Sequence, residues 1–246
     1  MDLASRTVAG SGTPIVYIHG WIGSRKSWEQ VDQAADLDNP RLFYDQRCHG
    51  DSPCQPFDFQ DLADDLDQLL DEKGIDRPVL AGHSMGGMVA LLYALENPVS
   101  GLFLAGTAAS TPEPRHRSPQ YFLDRLGDMD RDEWADAIVD NYAPGDSDYG
   151  RMARNELAQA GETVLRSGLE GMIAYDVRER LGELSCHALV VGGRDDGAIT
   201  PGKTEELAAL LDCRREMLNC SHLMLQERPG ELAGLLASFV QELQHE

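Results

Sequence analysis

A serine set between glycines, Gly82-His83-Ser84-Met85-Gly86, is where residue type and spacing in this chain point most directly to chemistry. The pattern is G-x-S-x-G, a tight turn from strand to helix that lifts a serine hydroxyl clear of the backbone. A hydroxyl of that kind attacks an acyl carbonyl only when a base takes its proton and a third group orients the base. Two distant segments offer those types: Gly192-Gly193-Arg194-Asp195-Asp196 carries two carboxylates, and Asn219-Cys220-Ser221-His222 carries an imidazole. His222 would take the Ser84 proton during attack and return it to the leaving group. A helix starting just after Ser84 would set the Met85 N–H and the positive end of its dipole beside the developing oxyanion.

Each of these groups needs a rigid element behind it. Pro14-Ile15-Val16-Tyr17-Ile18, Arg41-Leu42-Phe43-Tyr44, Val79-Leu80-Ala81, Leu102-Phe103-Leu104-Ala105 and Ala188-Leu189-Val190-Val191 are short apolar, β-branched runs that predict buried strands. A further strand is predicted near 215–218. Between them, helical patterns cover about 27–35, 61–70, 88–95, 203–211 and 230–243. In the second of these, apolar residues at 62, 63, 66, 69 and 70 form one face, and Asp61, Asp64, Asp65 and Asp67 are assigned to a solvated one. Alternating strands and helices predict an α/β fold with a mostly parallel twisted sheet and helices on both faces. From 107 to 185 no strand signal appears, and helices are predicted at about 119–127, 131–142, 147–160 and 162–180. The expected organisation is a core domain of residues 1–106 and 186–246, interrupted by a helical lid at 107–185.

The chain has 246 residues and a formal net charge of −21, with 21 Lys and Arg, of which only Lys26, Lys73 and Lys203 are lysines, against 42 acids. That balance excludes nucleic acid as a partner, because phosphates require clustered positive charge. It resembles the composition of salt-accumulating halophiles and predicts a salt requirement. Five cysteines, at 48, 54, 186, 213 and 220, are an odd count without a C-x-x-C pair, which predicts reduced thiols. Cys186-His187 lacks partners at metal-ligand spacing, so no metal is expected. Residues 1–10 lack a signal-peptide pattern and no apolar run approaches membrane-spanning length, so a soluble, cytoplasmic protein is expected.

Taken together, these segments resemble the α/β-hydrolase superfamily, in particular its esterase, lactonase and cofactor-free haloperoxidase-like branch with a helical lid. Nucleophile, acid and histidine occur in that family's order. His19-Gly20-Trp21 resembles its oxyanion loop, which implies that the backbone N–H groups of Trp21 and Met85 form the oxyanion hole. Asp45-Gln46-Arg47-Cys48-His49-Gly50-Asp51-Ser52 resembles its D-x-R-G-H-G-x-S segment, departing at Cys48 where glycine is usual. Gly193-Arg194-Asp195-Asp196 matches the G-x-x-D acid turn and favours Asp196, although Asp195 stands at the same spacing from Gly192. Ser221-His222 through Glu227-Arg228-Pro229 resembles the histidine loop, and Asp176 through Leu181 the return from the lid.

The resemblance implies a serine hydrolase of small-molecule esters or lactones working without a cofactor, with catalytic Ser84, Asp196 and His222. Peracid-forming or haloperoxidase-like chemistry and carbon–carbon bond hydrolysis use the same residues. Serine at 84 disfavours the dehalogenases and epoxide hydrolases of this fold, whose nucleophile is aspartate. A ligand-binding receptor on the same fold is the rival of a different class. Arginines 115, 117, 125, 151 and 154 are candidates for steering a carboxylate-bearing substrate or for balancing lid acids, and Trp21, Trp28 and Trp134 for lining an acyl pocket or packing the core. His83 is assigned to packing or polar support of the turn. The sequence leaves the oligomeric state open.

Overall fold

The computed structural model describes residues 1–111, 118–143, 145 and 147–244. The elements run β1 (Ser5–Val8), β2 (Ile15–Ile18), α1 (Glu29–Ala35), β3 (Arg41–Tyr44), α2 (Phe59–Lys73), β4 (Val79–His83), α3 (Met85–Glu96) and β5 (Gly101–Ala105). Four helices follow: α4 (Pro119–Leu123), α5 (Arg131–Tyr142), α6 (Asp148–Gln159) and α7 (Glu162–Ala174). The chain then returns through β6 (His187–Gly193), α8 (Pro201–Leu210), β7 (Arg214–Leu218), α9 (Met224–Glu227) and α10 (Pro229–Leu243).

Among the described residues, the strands form one sheet in the order β1-β3-β2-β4-β5-β6-β7. All neighbours are parallel except β1, which pairs antiparallel with β3, Ser5 opposite Tyr44 and Val8 opposite Arg41. Side-chain alternation splits the strands between two cores. Val16, Ile18, Leu80, Leu102 and Leu104 face α2 and α3, while Ile15, Tyr17, Val79, Ala81 and Phe103 face α1 and α10. With both faces covered, the parallel strands are apolar throughout, as a doubly covered sheet requires. The register places the ends of β2 (Ile18 opposite Gly82), β4 (His83 opposite Ala105) and β6 (Gly193 opposite Leu218) along one carboxyl edge. Loops leaving that edge converge there, where ligands bind in open α/β sheets.

Helix α2 starts at a capping box between Asp58 and Asp61 and stops at Gly74, whose φ of 63° is left-handed. Its predicted apolar face is buried, but one acid departs from the prediction. Asp65 is buried, and its carboxylate takes two N–H bonds from Arg47, at 2.5 and 2.7 Å. A bidentate partner from the β3–α2 loop makes that burial affordable, and helical periodicity could not see it.

The cysteines also depart from expectation. Cys186, Cys213 and Cys220 are free, whereas Cys48 and Cys54 form a disulfide. An odd total does not register two sulfurs brought together by one tight loop. Cys48 has φ 63°, the left-handed conformation for which glycine is the usual occupant. Its N–H donates to the Pro53 carbonyl at 3.0 Å, closing the loop across the same span as the disulfide.

Helices α4 to α7 lie between β5 and β6. Helix α7 ends at Ala174, six residues before the predicted end, because Asp176 bridges back to Ser110 and the Val177 N–H donates to Ala109. Two glycines of α7 admit the aromatic side chains packed against it. A Cβ at Gly168 would lie 2.2 Å from Trp21 Nε1, and one at Gly171 2.4 Å from Phe59. Trp21 Nε1–H in turn donates to the Val164 carbonyl at 3.0 Å. The arginines at 115 and 117 and most of the Pro-rich stretch before α4 lie outside the described residues. No helix among the described residues is long and apolar enough to cross a membrane.

Candidate active site

Strand β4 delivers Ser84 to the carboxyl edge and α3 begins immediately behind it. Ser84 has φ 53° and ψ −121°, a sparsely populated conformation for a residue with a side chain. The flanking glycines are dictated by close approach: a Cβ at Gly82 would sit 2.6 Å from the Gly86 carbonyl oxygen, and one at Gly86 2.3 Å from that of Ile18. The Ser84 N–H is held by the Ala105 carbonyl at 3.0 Å.

His222 Nε2 lies 2.9 Å from Ser84 Oγ, and its Nδ1 lies 2.7 Å from Asp196 Oδ2. The Asp196 side chain is fully buried. Its other oxygen accepts the N–H groups of Ala198 and Ile199 at 2.9 and 2.8 Å, so the carboxylate is fixed from both sides. Asp195 is exposed and its N–H donates to the Cys220 carbonyl at 3.0 Å. Of the two candidate acids, the structure brings Asp196 to the histidine and leaves Asp195 outside. The histidine loop is tied by Glu227, which accepts from Ser221 N at 2.9 Å and from Ser221 Oγ at 2.6 Å.

Met85 is the first residue of α3, where backbone N–H groups lack an intrahelical acceptor. Gly20 brings the preceding loop against the serine, since a Cβ there would lie 3.2 Å from Ser84 Cβ.

Three histidines surround this frame in the neutral form. His19 donates Nδ1–H to the Gly20 carbonyl at 2.7 Å and accepts the Gln46 N–H on Nε2 at 3.0 Å, and burial holds its pKa down to about 3. His83 donates Nε2–H to the His222 carbonyl at 3.0 Å and is likewise lowered by burial to about 3. His49 donates Nδ1–H to the Arg47 carbonyl at 2.8 Å, and burial lowers it to about 4. The sequence assigned His83 to packing or polar support of its own turn, and its bond goes to the histidine loop. His19 and His49 stand inside two of the motif segments, which gave neither ring a role, and the α5 end beside His222 carried no motif.

A cavity of about 600 Å³ opens above Ser84. Its walls are mainly apolar, including Phe122, Ile138, Leu157 and Leu169 from the inserted helices and Trp21 from the β2–α1 loop. Trp28 and Trp134 belong to the core instead, with Nε1–H groups bonded to Ile18 and Phe122 carbonyls. The described arginines stand away from the cavity. Arg125 stacks on Tyr121, Arg151 pairs with Asp148, and Arg154 pairs with Asp136 and Asp140.

Residues 15–235 match the alpha/beta hydrolase family. A curated relative, an abhydrolase domain-containing protein of Schizosaccharomyces pombe, is 37% identical over 97 residues, covering 38% of this chain and 36% of that protein. The chain thus matches only about a third of that relative's length. The enol-lactonase of Burkholderia xenovorans LB400 superposes with a TM-score of 0.86 at 24% identity, covering 97% of this chain and 96% of the other. A thermophilic esterase of Thermogutta terrifontis gives 0.85 at 23%, covering 98% and 93%. At those identities the structural likeness establishes the fold.

Proposed function

This chain belongs to the alpha/beta hydrolase family, and on that premise we propose that it is a serine hydrolase cleaving carboxylic esters or lactones of small molecules through an acyl-enzyme on Ser84. The observation that carries the reading is the continuous contact from Ser84 Oγ through His222 to Asp196, at 2.9 and 2.7 Å. Ser84 Oγ adds to the acyl carbonyl as His222 Nε2 takes its proton. The oxyanion is met by the N–H groups of Trp21 and Met85, where loss of one such donor typically costs about 10²–10³ in turnover. The tetrahedral adduct collapses, the carbon–oxygen bond to the alcohol breaks, and His222 protonates the departing oxygen. Water then attacks the acyl-enzyme by the same route in reverse, releasing the carboxylic acid and restoring Ser84. Asp196 holds the Nδ1–H tautomer throughout.

Helices α4 to α7 act as the lid in this reading; the apolar part of their wall favours an uncharged acyl or alcohol group, and Glu156 on the same wall disfavours an anionic one. The ion pairs of Arg151 and Arg154 favour charge balance of the lid over steering of a carboxylate, and Arg125 is occupied by the Tyr121 ring. Labelling by a fluorophosphonate probe and turnover of short p-nitrophenyl esters test the proposal. Both are expected in the wild type and absent in Ser84→Ala. Asp196→Asn should lower kcat by about 10³–10⁴, while Asp195→Asn stays near wild type. A folded wild type that the probe does not label would favour the receptor reading instead.

A further inference from the structure

The last turn of α5 lines the cavity and engages both loops that carry the acid and the histidine. The His222 N–H donates to the Tyr142 carbonyl at 3.1 Å. The Tyr142 ring meets the His222 ring edge-on, with centroids 5.5 Å apart. On the acid side, Gly197 packs so tightly under Asn141 that a Cβ there would lie 1.9 Å from the Asn141 carbonyl oxygen. The neighbouring N–H groups of Ala198 and Ile199 are the ones that hold Asp196 Oδ1. From the opposite side, His83 Nε2–H donates to the His222 carbonyl at 3.0 Å. The peptide of His222 is therefore gripped at its N–H by the inserted helices and at its C=O by β4.

We infer that Asn141–Tyr142 is a positioning element for the Asp196–His222 pair, so that the inserted helices set the alignment of the base with Ser84 as well as walling the cavity. The inference rests on the serine hydrolase reading. It follows from how His222 is held: the β7–α9 loop belongs to no strand or helix, and its anchors lie on β4, on Glu227 and on α5. Removing the Tyr142 ring, or forcing Asn141 off Gly197, loosens the α5 anchor while the Tyr142 carbonyl remains in the chain, and the loop is then free to shift. A displacement near 1 Å at a reacting group is enough to cost about 10²-fold in rate. The tether also means that the Asp196–His222 pair is held in this geometry while this end of the insertion is seated.

Three variants test the assignment: Gly197→Ala, which must push Asn141 or the acid turn aside; Tyr142→Leu, which removes the ring; and Tyr142→Phe, which keeps it. In folded Gly197→Ala and Tyr142→Leu, kcat on a short p-nitrophenyl ester and the rate of fluorophosphonate inactivation should fall together by roughly 10- to 100-fold, with KM within about threefold of wild type. Tyr142→Phe should recover most of what Tyr142→Leu loses. The proton resonance of His222 Nδ1–H reports the bond to Asp196 whether or not an ester is turned over. It should broaden or vanish in the first two variants and persist in the third. A raised KM with unchanged kcat and inactivation rate would make Tyr142 only a wall of the cavity and overturn the inference. If Gly197→Ala does not fold, Tyr142→Leu decides alone by the same readings. Failure of the hydrolase reading would show separately, as a wild type that is not labelled while the resonance still responds.

Discussion

His19, His49 and His83 couple the frame of the site to pH. Each keeps one ring nitrogen donating to a backbone carbonyl, and His19 uses the other to accept the Gln46 N–H, so a second proton would face a donor. Their folded-state pKa values of about 3, 4 and 3 lie below the unfolded value near 6.5. The unfolded chain therefore takes up these protons first. Their contribution to stability is complete above pH 6.5 and is lost progressively as pH falls from there toward the folded-state values, because the unfolded chain takes up each proton before the folded one does. Denaturant unfolding at pH 7 and pH 5 should show that loss, and His49→Gln should reduce the slope by about one proton. A slope unaffected by His49→Gln would assign the acid sensitivity elsewhere. Ser84 and His222 were legible because their loops carry motifs, while the sequence favoured Asp196 over Asp195 only narrowly, because the glycine pair gives both the same spacing. Strand geometry separates them: Arg194 and Asp195 continue the ladder to Leu218 and Cys220 carbonyls, and the next residue turns inward.

At the scale of elements, the sequence marks what is repetitive and misses what depends on one partner. The parallel strands follow from their continuous apolar, β-branched runs and α2 from its apolar face, and α5 falls on its predicted limits, 131–142. Strand β1, Ser-Arg-Thr-Val, is a four-residue edge with two exposed polar side chains and no alternation to detect; its existence depends on the open side of β3. The left-handed Cys48 and its disulfide follow from a loop whose centre is the buried Asp45, which accepts the Arg25 and Asp51 N–H groups and pairs with the Arg25 guanidinium. Asp65 is the clearest case, because helical phase alone assigns it to solvent. Replacing it by alanine leaves Arg47, only 12% exposed, without its bidentate partner. Removal of one member of a buried pair typically costs 3–5 kcal/mol, and the residual exposure of Arg47 puts the expectation at the lower end, about 3 kcal/mol. Asp64→Ala, one position away on the exposed face, should stay within about 0.5 kcal/mol. Equal denaturation midpoints for the two variants would refute the assignment of a structural role to Asp65.

For the whole molecule, the decisive quantity is the excess of 21 negative charges on a single compact chain. Salt acts on that charge in two opposing ways. It weakens the surface ion pairs, such as Arg6–Glu29, Arg166–Glu162 and Arg214–Glu242, each worth roughly 0–1 kcal/mol. It also weakens the repulsion among acids that no cation is left to pair, and acidic residues outnumber basic ones 42 to 21. Every basic residue could be paired and half the acids would still repel one another, in the folded state more than in the expanded one. Repulsion therefore outweighs attraction, and screening should stabilise the fold. The dependence on concentration identifies the cause: a screening length of about 10 Å at 0.1 M already covers neighbouring surface charges, and about 3 Å at 1 M isolates them. We expect Tm to rise steeply between 0.05 and ~0.5 M KCl, flatten toward ~2 M, and respond equally to NaCl at the same ionic strength. Sucrose at matched osmolality should not reproduce the steep phase, since it carries no charge. A Tm that stays flat or falls over the first half-molar of KCl would show that the acids are already balanced locally, and the salt requirement read from composition would then be wrong.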